Sequence, residues 1–231
     1  MTVVLCWDID GTLLTTARAG IFAWEDATRE VAGRPCDFSS LETSGLTDVQ
    51  IAIRILERFG FEPERERLSA LVRRYEALLP DSLHRKTGRV LPGVRRILEH
   101  LRCRPDVASI LLTGNTEAGA RAKLRHYGLE GYFHGGAFAD GVPDRVGIAL
   151  RARAMAREIV GEEPDPCAIY VIGDTPHDIT CARAIAARAI AVASGNYSVT
   201  DLTAYDPWWV LPELPDPDAF LTRVSAEQSQ R

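Results

Sequence analysis

The sequence lacks the features that mark secreted, membrane-spanning and disulfide-rich proteins. Its five cysteines are scattered, odd in number and form no Cys-x-x-Cys pair, so neither a disulfide framework nor a zinc site is expected. The sequence has no run of about 18 apolar residues, and no basic segment precedes its first apolar run, so neither a transmembrane helix nor a signal peptide is expected. These absences predict a reduced, cytoplasmic protein with no membrane partner.

The charge pattern gives no indication of a nucleic-acid partner. The net charge is -5, and the arginine-rich segments alternate with Glu or Ala at helical spacing, which is typical of solvated helix faces. With 231 residues, 46% hydrophobic and 26% charged, the chain has the composition of a globular protein. It is long enough for one large domain or for a core domain with an insertion.

Short apolar runs alternate with amphipathic segments along most of the chain. The runs without polar alternation are expected to be buried strands, at 3–7, 107–112, 168–172 and 189–193. A weaker strand is predicted within 132–138 and an edge strand near 208–210. This alternation predicts an α/β fold, with a Rossmann-like, doubly wound parallel sheet as its core.

Residues 15–88 interrupt the alternation. Helices are predicted from 16 to 31, from 47 to about 59 and from 64 to 79, and no strand candidate lies between them. The first strand therefore has no immediate return to the sheet. We predict an all-helical cap domain at 15–88, inserted into a core formed by 1–14 and 89–231.

Polar residues gather where three of the buried strands end. They are Asp8 and Asp10 after the first strand, Thr113 and Asn115 after the second, and Asp174 and Asp178 after the fourth. Because the carboxyl ends of parallel strands lie at one edge of a sheet, these side chains are expected to converge. Buried carboxylates repel one another, and oxygen ligands suit a hard divalent cation, so a Mg²⁺ site is expected there.

Two of these motifs also have a purely structural explanation. Asp8 and Asp10 are compatible with an Asx-turn at a strand end, and Asp174 and Asp178 with a helix N-terminal pair. The ordered set D-x-D-G-T, T-G-N and G-D-x-x-x-D, with each motif at the end of a buried strand, favours the catalytic interpretation.

This ordered set resembles the haloacid dehalogenase superfamily of hydrolases, in its phosphatase branch with a helical cap. The overall pattern is most similar to phosphoglycolate phosphatase and β-phosphoglucomutase relatives. The resemblance implies Mg²⁺-dependent hydrolysis of a small phosphorylated metabolite through an aspartyl-phosphate. It implies that Asp8 is the nucleophile. Asp10 would be the general acid and then the general base, and its backbone carbonyl would also bind the metal.

The same resemblance assigns roles to the other strand-end residues. Thr113, together with the backbone N–H groups of Gly114 and Asn115, would hold the phosphate, and the N-terminus of the following helix would add positive potential. Asp174 would be a direct metal ligand. Asp178 would bind the metal through water or orient its ligand shell.

The sequence departs from the family pattern at one catalytic position. The family places a lysine near the start of the helix before the fourth strand, where this chain has Arg145. Lys123 is the other candidate, but it lies about two turns into its helix, roughly 10 Å along the axis, and we rank it second. An arginine keeps the charge and can bind phosphate with two donors, so activity is still expected.

Residues 43–48 of the predicted cap are polar, contain a glycine and open a helix. Thr47 and Asp48 are therefore predicted to face the substrate, and the alternative is that Thr47 only caps the helix. A phosphomutase of the β-phosphoglucomutase type and a non-catalytic binding protein on the same fold are the alternative functions. Asp10 argues against a dehalogenase, because those relatives lack the second aspartate. The sequence does not indicate an oligomeric state.

Overall fold

The computed structural model describes residues 2–35, 38, 43–142 and 144–225. The strands are β1 (Val3–Trp7), β2 (Leu14–Thr15), β3 (Arg89–Val90), β4 (Val107–Leu112), β5 (Gly136–Ala137), β6 (Ile169–Gly173), β7 (Arg188–Val192) and β8 (Trp209–Leu211). The α-helices are α1 (Ala19–Ala32), α2 (Asp48–Arg58), α3 (Arg65–Ser82), α4 (Val94–Leu101), α5 (Glu117–His126), α6 (Arg145–Val160), α7 (Pro176–Ala184), α8 (Val199–Thr203) and α9 (Pro217–Ser225).

Six of the strands form a parallel sheet in the order β5-β4-β1-β6-β7-β8. Strand β1 is central, with Cys6 paired to Ile110 of β4 on one side and to Val171 of β6 on the other. All five residues of β1 are buried, as expected for a strand covered on both faces. The predicted α/β, doubly wound parallel fold is confirmed.

Alternate residues of β1 belong to two separate hydrophobic layers, because successive side chains of a strand point to opposite faces. Leu5 and Trp7 pack on one face with residues of α4, α5 and α9. Val4 and Cys6 pack on the other face with residues of α6, α7 and α8. The sheet therefore lies between two helical layers, and the ends of its strands are where a functional site can form.

A third hydrophobic cluster joins α1, α2 and α3. At its centre the rings of Trp24 and Tyr75 stack, with centroids 3.9 Å apart. The chain reaches and leaves these helices through a short antiparallel pair in which Leu14 faces Val90 and Thr15 faces Arg89. This pair is a correction, because 15–88 is predicted to be helical and Thr15 lies in a strand. Two residues are too few to show a sequence period.

Two other elements are shorter than the sequence indicates. The helix predicted from residue 16 begins at Ala19, after Ala17 and Arg18 with φ angles of 48° and 74°. The weak strand predicted within 132–138 is limited to Gly136–Ala137. None of the helices in the described part of the chain is both long and apolar enough to cross a membrane.

Helix α7 ends in a Schellman turn that has alanine where glycine is favoured. The N–H of Ala187 donates to the carbonyl of Ala182 (2.8 Å), and the N–H of Ala186 donates to the carbonyl of Arg183 (3.1 Å). Ala186 has a φ of 57°, in the left-handed region where a Cβ atom is strained.

We expect Ala186→Gly to raise the free energy of unfolding by about 0.5–1 kcal/mol, because glycine adopts this conformation without strain. Chemical denaturation of the purified variant measures the change. Ala184→Gly, two residues earlier and still helical, is the matched control and should lower the stability by about 0.5–1 kcal/mol. Equal effects of the two substitutions would contradict this description of the turn.

Candidate active site

Three aspartates meet at the carboxyl end of the sheet. Asp8 follows β1, Asp174 follows β6, and Asp178 lies in the first turn of α7. All three are buried, and one carboxylate oxygen from each lies within 4.8 Å of the others. Sequence analysis predicted this convergence, and the parallel alignment of β1 and β6 produces it.

Burial and mutual repulsion disfavour the ionised form of these aspartates. Burial, followed by the charge of Asp178, raises the pKa of Asp8 to about 7, although Arg145 opposes the shift. Burial, followed by the charges of Asp178 and Asp8, raises the pKa of Asp174 to about 8, and a hydrogen bond from Thr12 opposes it. A cation bound among the three carboxylates would relieve both effects.

The residues present fit a metal ion. The donors are all carboxylate oxygens, which suit a hard divalent cation, and they surround one point. The backbone also leaves room for the Asp174 carboxylate, because a Cβ atom on Gly11 or Gly195 would collide with it. The Asp174 carboxylate therefore packs directly against the backbone of these two glycines.

Asp10 faces a different set of partners. Its Oδ2 atom accepts from Lys123 Nζ (2.5 Å) and from Asn115 Nδ2 (2.9 Å), and Lys123 also contacts Asn115 Oδ1 (2.5 Å). The Asp10 side chain is 42% exposed, whereas that of Asp8 is only 7% exposed. The two carboxylates of the D-x-D motif therefore lie in different environments, one buried with the metal-ligating set and one open to solvent.

Lys123 lies in the site, although its position about two turns into α5 makes it the second candidate, after Arg145, for the catalytic cation. Helical side chains point back toward the N-terminus, so the long lysine stem returns along α5 and reaches Asp10. The residue is 4% exposed and places a buried positive charge beside the acid. A distance along the helix axis is therefore a poor measure of the reach of this side chain.

Arg145 contacts the nucleophile candidate from the other side. Its Nη2 atom lies 2.5 Å from Asp178 Oδ1 and 3.5 Å from Asp8 Oδ2, and its Nη1 atom donates to the carbonyl of Gly45 (3.3 Å). The Nε atom is buried and has no hydrogen-bond partner among the described residues. The Nη2 atom of Arg145 therefore lies between the carboxylates of Asp8 and Asp178.

The T-G-N loop between β4 and α5 has a buried hydroxyl at its centre. Thr113 is fully buried, and its Oγ1 atom accepts from the Asn115 side chain (2.8 Å) and backbone N–H (3.3 Å). Whether the N-terminus of α5 adds positive potential for a phosphate stays a prediction. Carboxylates already accept from its first N–H groups, with Asp48 bonded to Thr116 and Asp140 bonded to Glu117.

Residues 45–48 lie directly against the segments that carry the T-G-N and G-D-x-x-x-D motifs. A Cβ atom on Gly45 would collide with His177, and the N–H of Asp48 donates to the carbonyl of Gly114 (2.7 Å). Thr47 is buried and forms a capping box with Gln50, so the helix-capping alternative describes its side chain. The side-chain oxygens of Thr47 and Asp48 thus bond within the protein, and substrate contact by these residues stays a prediction.

A family model of haloacid dehalogenase-like hydrolase matches residues 5–183, which span the three strand-end motifs. The chain belongs to the haloacid dehalogenase-like hydrolases. Among its relatives is the "Probable phosphatase IndB" of Dickeya dadantii (strain 3937), with 27% identity over 217 residues, covering 90% of this chain and 88% of the relative. This is the superfamily that the ordered motifs predict.

Two further similarities agree with that membership. The phosphoglycolate phosphatase of Synechococcus elongatus is 29% identical over 157 residues, covering 68% of this chain and 69% of that protein. The crystal structure of a haloacid dehalogenase hydrolase from Entamoeba histolytica covers 100% of both chains with a TM-score of 0.72 and 20% identity. At that identity the structural match shows the shared fold.

Several residues support the haloacid dehalogenase motifs without being predicted to do so. The Thr12 hydroxyl donates to Asp174 (3.1 Å), and the Thr175 hydroxyl donates to Asp178 (2.7 Å). The Ser194 hydroxyl donates to the carbonyl of Gly11 (2.7 Å), and Ser194 directly precedes Gly195. Thr12 belongs to the D-x-D-G-T motif, and Thr175 has the Thr-x-x-Asp pattern of a capping box, whereas Ser194 has no sequence signal.

The raised pKa values of Asp8 and Asp174 predict how stability depends on pH. Between about pH 4 and 8 the folded protein binds more protons at these carboxyls than the unfolded chain. The free energy of unfolding in EDTA should therefore fall as pH rises from 6 to 8, by roughly 3 kcal/mol. Addition of Mg²⁺ should stabilise the protein more at pH 8 than at pH 6, since the ion displaces protons.

Urea denaturation at the two pH values, with EDTA or Mg²⁺, measures this effect. Asp174→Asn is the control that isolates it, because the variant has one fewer carboxyl to titrate. Its stability in EDTA should change less between pH 6 and 8 than that of the native chain. An unchanged pH dependence in the variant would rule out this origin.

Proposed function

We propose that this protein is a Mg²⁺-dependent phosphatase that hydrolyses a small phosphomonoester through an aspartyl-phosphate on Asp8. The observation that carries the proposal is the buried trio Asp8, Asp174 and Asp178 next to the half-exposed Asp10. The phosphatase names of two relatives support the same reaction class. The segment 15–88, which we propose acts as the cap, lies over this edge of the sheet through Gly45 and Asp48.

In this proposal Asp8, Asp174 and Asp178 hold the metal, together with the backbone carbonyl of Asp10. When bound, Mg²⁺ offsets the repulsion among carboxylates and phosphate. The charge of the site supports a divalent ion. The four aspartates of the motifs face two cationic side chains, so two negative charges are left for the ion to balance.

Asp8 would attack phosphorus with one carboxylate oxygen. The bond between phosphorus and the ester oxygen breaks, and the leaving alkoxide takes a proton from Asp10. Asp10 then removes a proton from water as that water attacks phosphorus, which releases inorganic phosphate and restores Asp8. The half-exposed position of Asp10 supports both proton transfers, because a leaving group and a water molecule can reach it.

Arg145 and Lys123 would divide the role that the family gives to one lysine. Arg145 places its Nη2 atom near both Asp8 and Asp178, so it is suited to hold a phosphoryl oxygen beside the nucleophile. Lys123 contacts Asp10 and Asn115 and is suited to orient the acid. The proposal therefore gives phosphate binding to the arginine and proton-transfer geometry to the lysine.

The first test uses 4-nitrophenyl phosphate with Mg²⁺, at saturating substrate. We expect Asp8→Asn to lower kcat at least about 1,000-fold, since the amide is no nucleophile. Asp10→Asn should release about one nitrophenolate per site in a burst and then stop. This leaving group needs no proton, whereas hydrolysis of the aspartyl-phosphate needs a base. Rapid-mixing absorbance measures the burst.

The same assay has outcomes that contradict the proposal. Full activity in Asp8→Asn would exclude Asp8 as the nucleophile. An absence of turnover with any phosphomonoester, while Mg²⁺ still binds, would favour a binding protein on this fold. Phosphate transfer that requires a sugar bisphosphate would favour the phosphomutase.

The second test separates the two cations. We expect Arg145→Ala to weaken inhibition by inorganic phosphate about tenfold or more, since it removes donors beside Asp8. Lys123→Ala should lower kcat with a smaller effect on that inhibition, because Lys123 contacts Asp10. Arg151→Ala, on the same helix as Arg145 but bonded to the Asp140 carbonyl, is the control for damage to α6. Identical kinetic changes in Arg145→Ala and Lys123→Ala would contradict the division of roles.

A further inference from the structure

One residue of α2 bonds to both sides of the T-G-N loop. The backbone N–H of Asp48 donates to the carbonyl of Gly114 (2.7 Å), and the Asp48 carboxylate accepts from the N–H of Thr116 (2.9 Å). Asn115 lies between these two contacts in the sequence. A single residue outside the core thus fixes the backbone on both sides of a residue that is proposed to bind phosphate.

The first contact determines where the Asn115 N–H points. In a planar trans peptide the carbonyl of one residue and the N–H of the next point in opposite directions. Because the Gly114 carbonyl faces Asp48, the Asn115 N–H faces away from α2. It points to the Thr113 hydroxyl, 3.3 Å away, on the side of the proposed phosphate site.

The second contact determines which donors are left for a ligand. The Thr116 N–H directly follows the loop and would otherwise compete for the phosphate. The Asp48 carboxylate satisfies it, and Asp140 satisfies the next N–H, that of Glu117. A ligand phosphate is therefore directed to Thr113 and the loop itself rather than to the helix end.

Asp48 is held rigidly in this position. It is 5% exposed, and its charge, after the larger effect of burial, raises the pKa of the Tyr75 hydroxyl. Tyr75 in turn stacks on Trp24 of α1, with ring centroids 3.9 Å apart. Lys123 supplies a nearby positive charge. A buried carboxylate requires such partners, and here they connect the hydrophobic cluster of α1–α3 with the phosphate loop.

We propose that Asp48 is a positioning residue, through which the helical segment sets the T-G-N loop for phosphate binding. This inference rests on the proposed phosphatase function. It differs from the prediction that Asp48 faces the substrate, because the residue acts on the loop backbone. Its effect should therefore be the same for every substrate, whatever the leaving group.

Three substitutions at position 48 remove the contacts in turn. Asp48→Asn keeps an acceptor and the N–H, Asp48→Ala keeps only the N–H, and Asp48→Pro keeps neither. Proline suits this position, because Asp48 is the first residue of α2 and Thr47 already has the extended conformation that proline favours before it. The series therefore tests the contacts without breaking the helix.

The readouts are the inhibition constant of inorganic phosphate and kcat/KM for one aryl and two alkyl phosphates. We expect Asp48→Asn to weaken phosphate inhibition less than about threefold, Asp48→Ala about tenfold and Asp48→Pro further, following the hydrogen bonds lost. The loss in kcat/KM should be alike for the three substrates.

Gln50→Ala is the matched control, since it removes the other half of the capping box on the same helix and does not touch the loop. It should lower thermal stability but leave phosphate inhibition unchanged. Weakened inhibition in Gln50→Ala equal to that in Asp48→Ala would overturn the proposal. So would losses that depend on the leaving group while phosphate inhibition stays native, which would indicate direct substrate contact.

Calorimetric binding of inorganic phosphate with Mg²⁺ separates this inference from the proposed function. If the native chain binds phosphate but hydrolyses no phosphomonoester, and Asp48→Ala binds it more weakly, the phosphatase proposal fails and the role of Asp48 is supported. If the native chain is an active phosphatase and the Asp48 series binds phosphate natively, only the inference fails.

Discussion

The repulsion among Asp8, Asp174 and Asp178 is the constraint on which the rest of the site depends. Parallel pairing of β1 and β6 brings the first two together, and α7 adds the third. Hydrogen bonds and Arg145 reduce the repulsion but leave the pKa values of Asp8 and Asp174 well above their usual range. Protons therefore stabilise the site at low pH, and a bound cation would stabilise it at higher pH.

Two cationic side chains of different shape, Arg145 and Lys123, offset part of the negative charge of the aspartates. Arg145 has a planar fork that spans Asp8, Asp178 and the Gly45 carbonyl at once. Lys123 is a compact charge on a flexible stem, and it contacts the more exposed Asp10. A guanidinium suits several fixed acceptors at once, whereas an ammonium is a point charge that a flexible stem can place beside one carboxylate. This difference supports separate tasks rather than duplicate ones.

The sequence was sufficient where a local pattern determines the position of a residue. A buried strand followed by aspartates locates Asp8 and Asp174 without any knowledge of the fold beyond strand direction. The sequence was insufficient where tertiary contacts determine which residues reach the site. Ser194 and Gly195 follow β7 without a motif, and they reach the site only because β7 lies next to β6. Lys123 reaches Asp10 because its side chain points back along α5, and the residue's distance along the helix axis does not indicate that reach.

Contacts between the helical segment and the core are made largely through backbone groups at the phosphate end. Gly45 has a φ of 71° and packs against His177 where no Cβ atom would fit, and its carbonyl meets Arg145. The N–H of Asp48 meets the Gly114 carbonyl. Backbone groups are the same in every residue and cannot distinguish one leaving group from another. These backbone contacts are therefore expected to act alike on every substrate.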